Sequence, residues 1–83
     1  MQTITTTLCN IAGDSFTTEI QYKYDRLAKA YIVLKPSFVD ESFGTGWIED
    51  MMIDLRPVIG RDCEVCIVDC GEVKSVVEIY NNK

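Results

Sequence analysis

Histidine is missing from the chain. With it go the Ser-His and Cys-His nucleophile pairs, the commonest general base at neutral pH, and histidine ligation of metals. Proline occurs twice and glycine five times, too seldom for a linker or a low-complexity tract. No apolar run approaches the roughly 18 residues of a membrane span; stretches such as Ala30 to Leu34 have the size of a core strand. The start, Met1-Gln2-Thr3-Ile4-Thr5, has neither the basic head nor the apolar block of a secretory signal. A cytoplasmic protein is therefore expected, with Cys9, Cys63, Cys66 and Cys70 as reduced thiols.

What is present is an ordinary globular composition, 47% apolar and 25% charged over 83 residues, which suits a single folded domain spanning residues 1–83. Positive charge is short: eight Lys and Arg face thirteen Asp and Glu, a net charge of −5. The imbalance is regional. Residues 1–39 are close to neutral, whereas residues 40–73 hold nine acidic side chains against Arg56 and Arg61. Such a segment repels phosphate, so direct nucleic-acid binding is not expected, and it steers the molecule toward a protein partner with a basic surface.

Residues 2–11 are rich in Thr and Ile, and Ala12-Gly13-Asp14-Ser15 supplies a turn. On the return, Phe16, Thr18, Ile20, Tyr22 and Tyr24 alternate with polar residues at period two, which predicts a strand with one buried face. Residues 26–35 also fit a helical stripe, with Asp25 as a cap and Pro36 as a stop. The short β-rich run Ala30-Tyr31-Ile32-Val33-Leu34 favours a central strand. After an irregular connection from Pro36 to Gly46, a helix is predicted. Trp47, Ile48, Met51, Met52, Leu55, Val58 and Ile59 share one arc at 100° per residue, Ile53 stands outside it, and Thr45 is the expected N-cap. Pro57 is expected to end that helix at Arg56. The last third reads as a hairpin, Cys63 to Val68 and Val73 to Tyr80, joined around Asp69-Cys70-Gly71-Glu72, with Asn81, Asn82 and Lys83 frayed. The resulting fold class is α+β, an antiparallel sheet of about five strands in the order β-β-β-α-β-β with one helix packed on one face.

Candidate chemistry is sparse. Cys63 and Cys66 have C-x-x-C spacing with Cys70 four residues on, but in a strand residues three apart point to opposite faces, so these cysteines are expected to be small buried apolar side chains rather than redox or metal-binding groups. Gly44-Thr45-Gly46 lacks the lysine of a phosphate loop and is expected to serve the turn and helix start. Trp47, Met51 and Met52 are expected in the core. What remains is the acidic set Asp40, Glu41, Glu49, Asp50 and Asp54. Its bland reading is a solubilising surface. Its functional reading is a docking patch for lysines and arginines, possessing neither catalytic residue nor cofactor nor metal.

In general character, a small acidic α+β domain without catalytic groups is similar to the inhibitors that phages and mobile elements direct at host defence, such as anti-CRISPR and anti-restriction proteins. The expectation is a non-enzymatic binding protein that inhibits or modulates a larger basic, nucleic-acid-handling complex, acting as a monomer or homodimer and not on a membrane. Two alternatives stand beside it: an assembly subunit or homo-oligomer pairing through a sheet edge, and a small redox or metal protein using the C-terminal cysteines.

Overall fold

The computed structural model describes residues 1–81. Five strands form one sheet in chain order: β1 (Gln2–Cys9), β2 (Ser15–Asp25), β3 (Ala30–Leu34), β4 (Glu64–Asp69) and β5 (Glu72–Ser75). A main helix, α1 (Gly46–Ile59), lies between β3 and β4, and a short one, α2 (Val76–Asn81), follows β5. The α+β class and the β-β-β-α-β-β order are those expected from the sequence. The β1–β2, β2–β3 and β4–β5 pairs are antiparallel, whereas β3 and β4 run parallel. That pairing follows from α1, which carries the chain back along the sheet so that β4 enters beside β3 in the same direction.

The turns follow local chemistry. Between β1 and β2, the Asn10 side chain accepts the Asp14 N–H, and Gly13 adopts φ +91°, the left-handed position a three-residue hairpin loop requires. Asp25 reverses the chain into β3 by accepting the N–H groups of Leu27 and Ala28. Cys70 and Gly71 both have positive φ, 51° and 85°, as in a two-residue hairpin turn whose twist matches the strands.

One face of the sheet holds the core. Ile4 and Leu8 from β1, Ile20 and Tyr22 from β2, Val33 from β3, and Val65 and Ile67 from β4 meet Trp47, Ile48, Met51, Leu55 and Ile59 of α1. Phe16 and Tyr24, at the ends of β2, are only partly covered. Among the described residues no helix or strand covers the opposite face. Its β1–β2 half presents Thr3, Thr5, Thr7, Glu19 and Gln21, and its β3–β5 half presents Ile32, Leu34, Cys66, Val68 and Val73 around a shallow depression.

Several expectations need correction. The strand predicted to reach Tyr80 stops at Ser75, because the Ser75 hydroxyl accepts the Glu78 N–H and caps α2. Ser75-Val76-Val77-Glu78 is the S-x-x-E pattern of a helix start, and it outweighs the β preference of its valines. Pro57 does not end α1 at Arg56. The helix runs on to Ile59, which is buried, and the carbonyl deprived of a partner belongs to Ile53, a residue on the exposed side of α1. The true end is set by Gly60, whose N–H bonds to the Arg56 carbonyl at 2.8 Å, while the Arg56 guanidinium donates to the carbonyls of Gly60 and Cys63. Val58, expected on the apolar arc, is exposed, and Met52 is half-buried. Thr45 holds the N-cap position but its side chain makes no capping bond. Asn82 and Lys83, expected to fray, lie outside the described residues, and Asn81 closes α2.

Candidate functional site

The acidic residues singled out in the sequence occupy one side and one end of the molecule, and each is placed by a specific local cause. Asp40 precedes a single 3-10 turn, Glu41–Phe43, and accepts hydrogen bonds from the Ser42 amide and hydroxyl. Those two bonds, the hydroxyl's first, hold its carboxyl below the ordinary value of 3.8. Glu41 projects into solvent from the same turn. The Ile11 N–H donates to the Ser42 carbonyl at 2.7 Å, which ties this turn to the β1–β2 loop and to Asp14 on it.

Glu49 and Asp50 lie in the first turns of α1, where the positive end of the helix dipole favours carboxylates. The Asp50 side chain accepts the Cys9 N–H at 3.1 Å, and one turn further on Asp54 accepts the Thr6 hydroxyl at 2.6 Å. These two carboxylates fasten α1 over β1. Thr6 is the one buried polar residue of the sheet, 2% exposed, and its bond to Asp54 is what makes that burial tolerable. Asp40, Glu41, Glu49 and Asp50 thus gather where the β1–β2 loop meets the start of α1, and Asp54 extends the set along the β1 side of the helix. Sequence reading could not assign the neutral donors that hold them, Thr6 and Cys9, because those contacts span 48 and 41 residues.

The ion pairs join other carboxylates. Among the described residues they are Lys35–Asp69, at 3.1 Å, and Lys74–Glu72, at 3.6 Å. Both line a hollow of about 210 Å³ between α1, β4, β5 and α2, which Gly44 and Thr45 also border, and Lys35 is near enough to Asp40 to help lower its carboxyl. The Lys35 ammonium, and after it the Cys70 thiol, hold the Asp69 carboxyl below its ordinary value. This hollow is smaller than the few hundred Å³ of typical ligand pockets.

Apolar groups sit beside the acidic end. Phe16, Phe38 and Phe43 pack as a trio with ring centroids 5.6 to 5.8 Å apart. Phe43 is buried, but Phe16 and Phe38 are each 40% exposed, and Ile11 on the neighbouring loop is 78% exposed. Ile53, which stands outside the apolar arc, is exposed.

The cysteines do not converge, nor are they buried as expected: Cys63 and Cys66 are half-buried and Cys70, placed in a turn, is exposed. Cys63 packs against the core and donates to the Ile59 carbonyl, Cys66 lies on the open face of the sheet, and Cys70 sits in the β4–β5 turn. Burial, with Glu64 and Glu78 nearby, pushes the Cys66 thiol up, and its hydrogen bond to Asp69 pushes Cys70 up. Among the described residues no group of three or more Cys, Asp or Glu is arranged to hold a metal ion. No helix among them is long and apolar enough to cross a membrane.

No protein-family model, no curated protein and no solved structure matches the chain. The functional reading therefore rests on the residues themselves.

Proposed function

We propose that the protein is a non-enzymatic binding module whose acidic end docks on a lysine- and arginine-rich surface of a larger, nucleic-acid-handling protein and thereby inhibits or modulates it. The observation that supports this reading is the state of the carboxylates. Asp40, Asp50 and Asp54 are held by neutral donors, while the ion pairs among the described residues lie elsewhere. None of the three is in an ion pair among the described residues, although Lys35, after the bonds from Ser42, helps lower the Asp40 carboxyl, and each is held in place, so docking costs less side-chain entropy than it would with free carboxylates. Partly exposed Phe16, Phe38 and Ile11 supply an apolar centre beside the charged groups, the arrangement in which a few aromatic contacts carry affinity and charges steer the encounter. Carboxylates presented in this way occupy a basic groove where phosphates would otherwise sit.

Glu41 and Glu49 provide the test, because both are exposed and neither contributes a side-chain bond to the turn or helix that carries it. The Glu41→Lys, Glu49→Lys double variant is expected to stay folded, at a cost of about 1 kcal/mol for putting cations at helix starts. It is expected to lose about tenfold or more in low-salt affinity for the basic partner captured on the wild-type protein. Unchanged capture by this variant, or capture insensitive to salt, would overturn the reading.

A further inference from the structure

The first strand of the sheet is an open edge. In the β1–β2 hairpin the Asn10 N–H bonds to the Asp14 carbonyl at 3.0 Å, so Asn10 and Asp14 face each other as a hydrogen-bonded pair. Antiparallel pairs alternate between bonded and non-bonded, and the register runs unbroken from Cys9–Ser15 to Gln2–Tyr22. Leu8, Thr6, Ile4 and Gln2 therefore direct their main-chain groups inward to β2. Thr3, Thr5, Thr7 and Cys9 direct theirs outward. Asp50 takes the outward N–H of Cys9, which leaves the row formed by Thr3, Thr5 and Thr7 along the edge.

Natural sheets blunt such edges with lysines, proline, bulges or very short strands. β1 has eight residues, carries no charge and no proline, and pairs with β2 without a bulge. Its helix-side rim is instead acidic, because Asp50 and Asp54 reach down from α1 to Cys9 and Thr6. Two copies joined edge to edge would bring these carboxylates together about a twofold axis, which like-charge repulsion opposes. An incoming strand of opposite charge meets no such penalty.

We infer that the β1 edge receives an extended segment of a protein partner, added as a sixth strand, with lysine or arginine at alternate positions facing Asp50 and Asp54. Main-chain bonds to Thr3, Thr5 and Thr7 supply register and affinity, and the two carboxylates select basic side chains on the helix side. This rests on the docking reading above and makes it specific: the partner contributes a strand and not only a charged surface.

The test is a low-salt selection on the full chain from a random library of linear peptides of about ten residues, long enough to span β1. The strongest binder is then synthesised unmodified and in two forms N-methylated at odd or at even positions. The inference expects Lys or Arg at alternate positions, and exchange protection of the Thr3, Thr5 and Thr7 amides on binding. One N-methylated form is expected to lose about tenfold or more while the other binds normally. Asp50→Asn and Asp54→Asn each keep a side-chain oxygen for their internal donor and should each weaken binding about threefold. Thr5→Pro removes an outward donor and should abolish the protection; the N-methylated peptides report the same bond should that variant fail to fold. Equal binding by both methylated forms, or basic peptides that leave the three threonine amides unprotected, overturns the edge inference while the docking reading stands. Protection of those amides without peptide, together with a doubled mass by light scattering, also overturns it, with a second copy as the occupant. Selected sequences without basic residues, combined with no effect of the Glu41→Lys, Glu49→Lys variant, remove both.

Discussion

The two edges of this sheet are built on opposite plans. β5 is four residues long, bears Glu72 and Lys74 joined in an ion pair, and turns directly into α2, so it offers a visiting strand little to pair with. β1 is twice as long, uncharged and unbroken, and the helix that covers its inner face brings carboxylates to its rim. A protein that protects one edge by these devices and leaves them off the other has its accessible edge on the β1 side.

The contrast is sharpest in stability, because β1 is also the better anchored strand. Leu8 is fully buried beneath α1, whereas Val73 of β5 is 57% exposed. Leu8→Ala is expected to cost about 2–5 kcal/mol by urea unfolding, and Val73→Ala within about 0.5 kcal/mol. Equal costs would break the distinction. The clasp between Thr6 and Asp54 comes next. Thr6→Val keeps the shape and removes the donor, and is expected to cost about 1–2 kcal/mol. Thr5→Val, on the open face, should be close to neutral in the same assay. At the other edge, Ser75→Ala removes the cap of α2, at about 1 kcal/mol, with a loss of helical circular dichroism. No change would mean that α2 does not depend on its cap.

Acid separates the two sides more gently. Asp69, beside Lys35, and Asp40, bonded to Ser42, both have carboxyls held below the ordinary 3.8. A depressed value in the folded state means that the stabilisation is complete above 3.8 and is lost as the pH falls below it through the lower folded values. The stability gaps between the wild type and Asp69→Asn, and between the wild type and Asp40→Asn, should therefore close as the pH drops through that range. A gap that persists in acid would show that these bonds do not depend on the charged carboxylate.

Much of the fold is legible in local pattern. The alternation of β2, the compact Ala30–Leu34 run and the apolar arc of α1 each bury one face of a regular element, and that periodicity survives in any context. The misreadings have local causes of another kind. At Ser75 a four-residue cap competes with a valine-rich strand pattern, and at Pro57 the lost bond falls at Ile53, on the exposed side of the helix, while buried Ile59 draws the last turn onto the core. The acidic set was legible as a charge imbalance and a candidate patch, but the contacts that hold Asp50 and Asp54 were not, because Cys9 and Thr6 are each more than forty residues away from them in sequence.

By itself the sequence determined strands β1 to β4 and the helix α1, the turns around Gly13 and Gly71, the absence of histidine chemistry, and the acid-rich stretch from residue 40 onward, because each depends on residue type and short-range spacing. Only the tertiary structure decided that β3 and β4 run parallel, that β1 is an edge, and that Asp50 and Asp54 stand along it. Those facts depend on which distant segments pack together, and hydrophobic burial, being non-directional, specifies that choice only when the whole chain has folded.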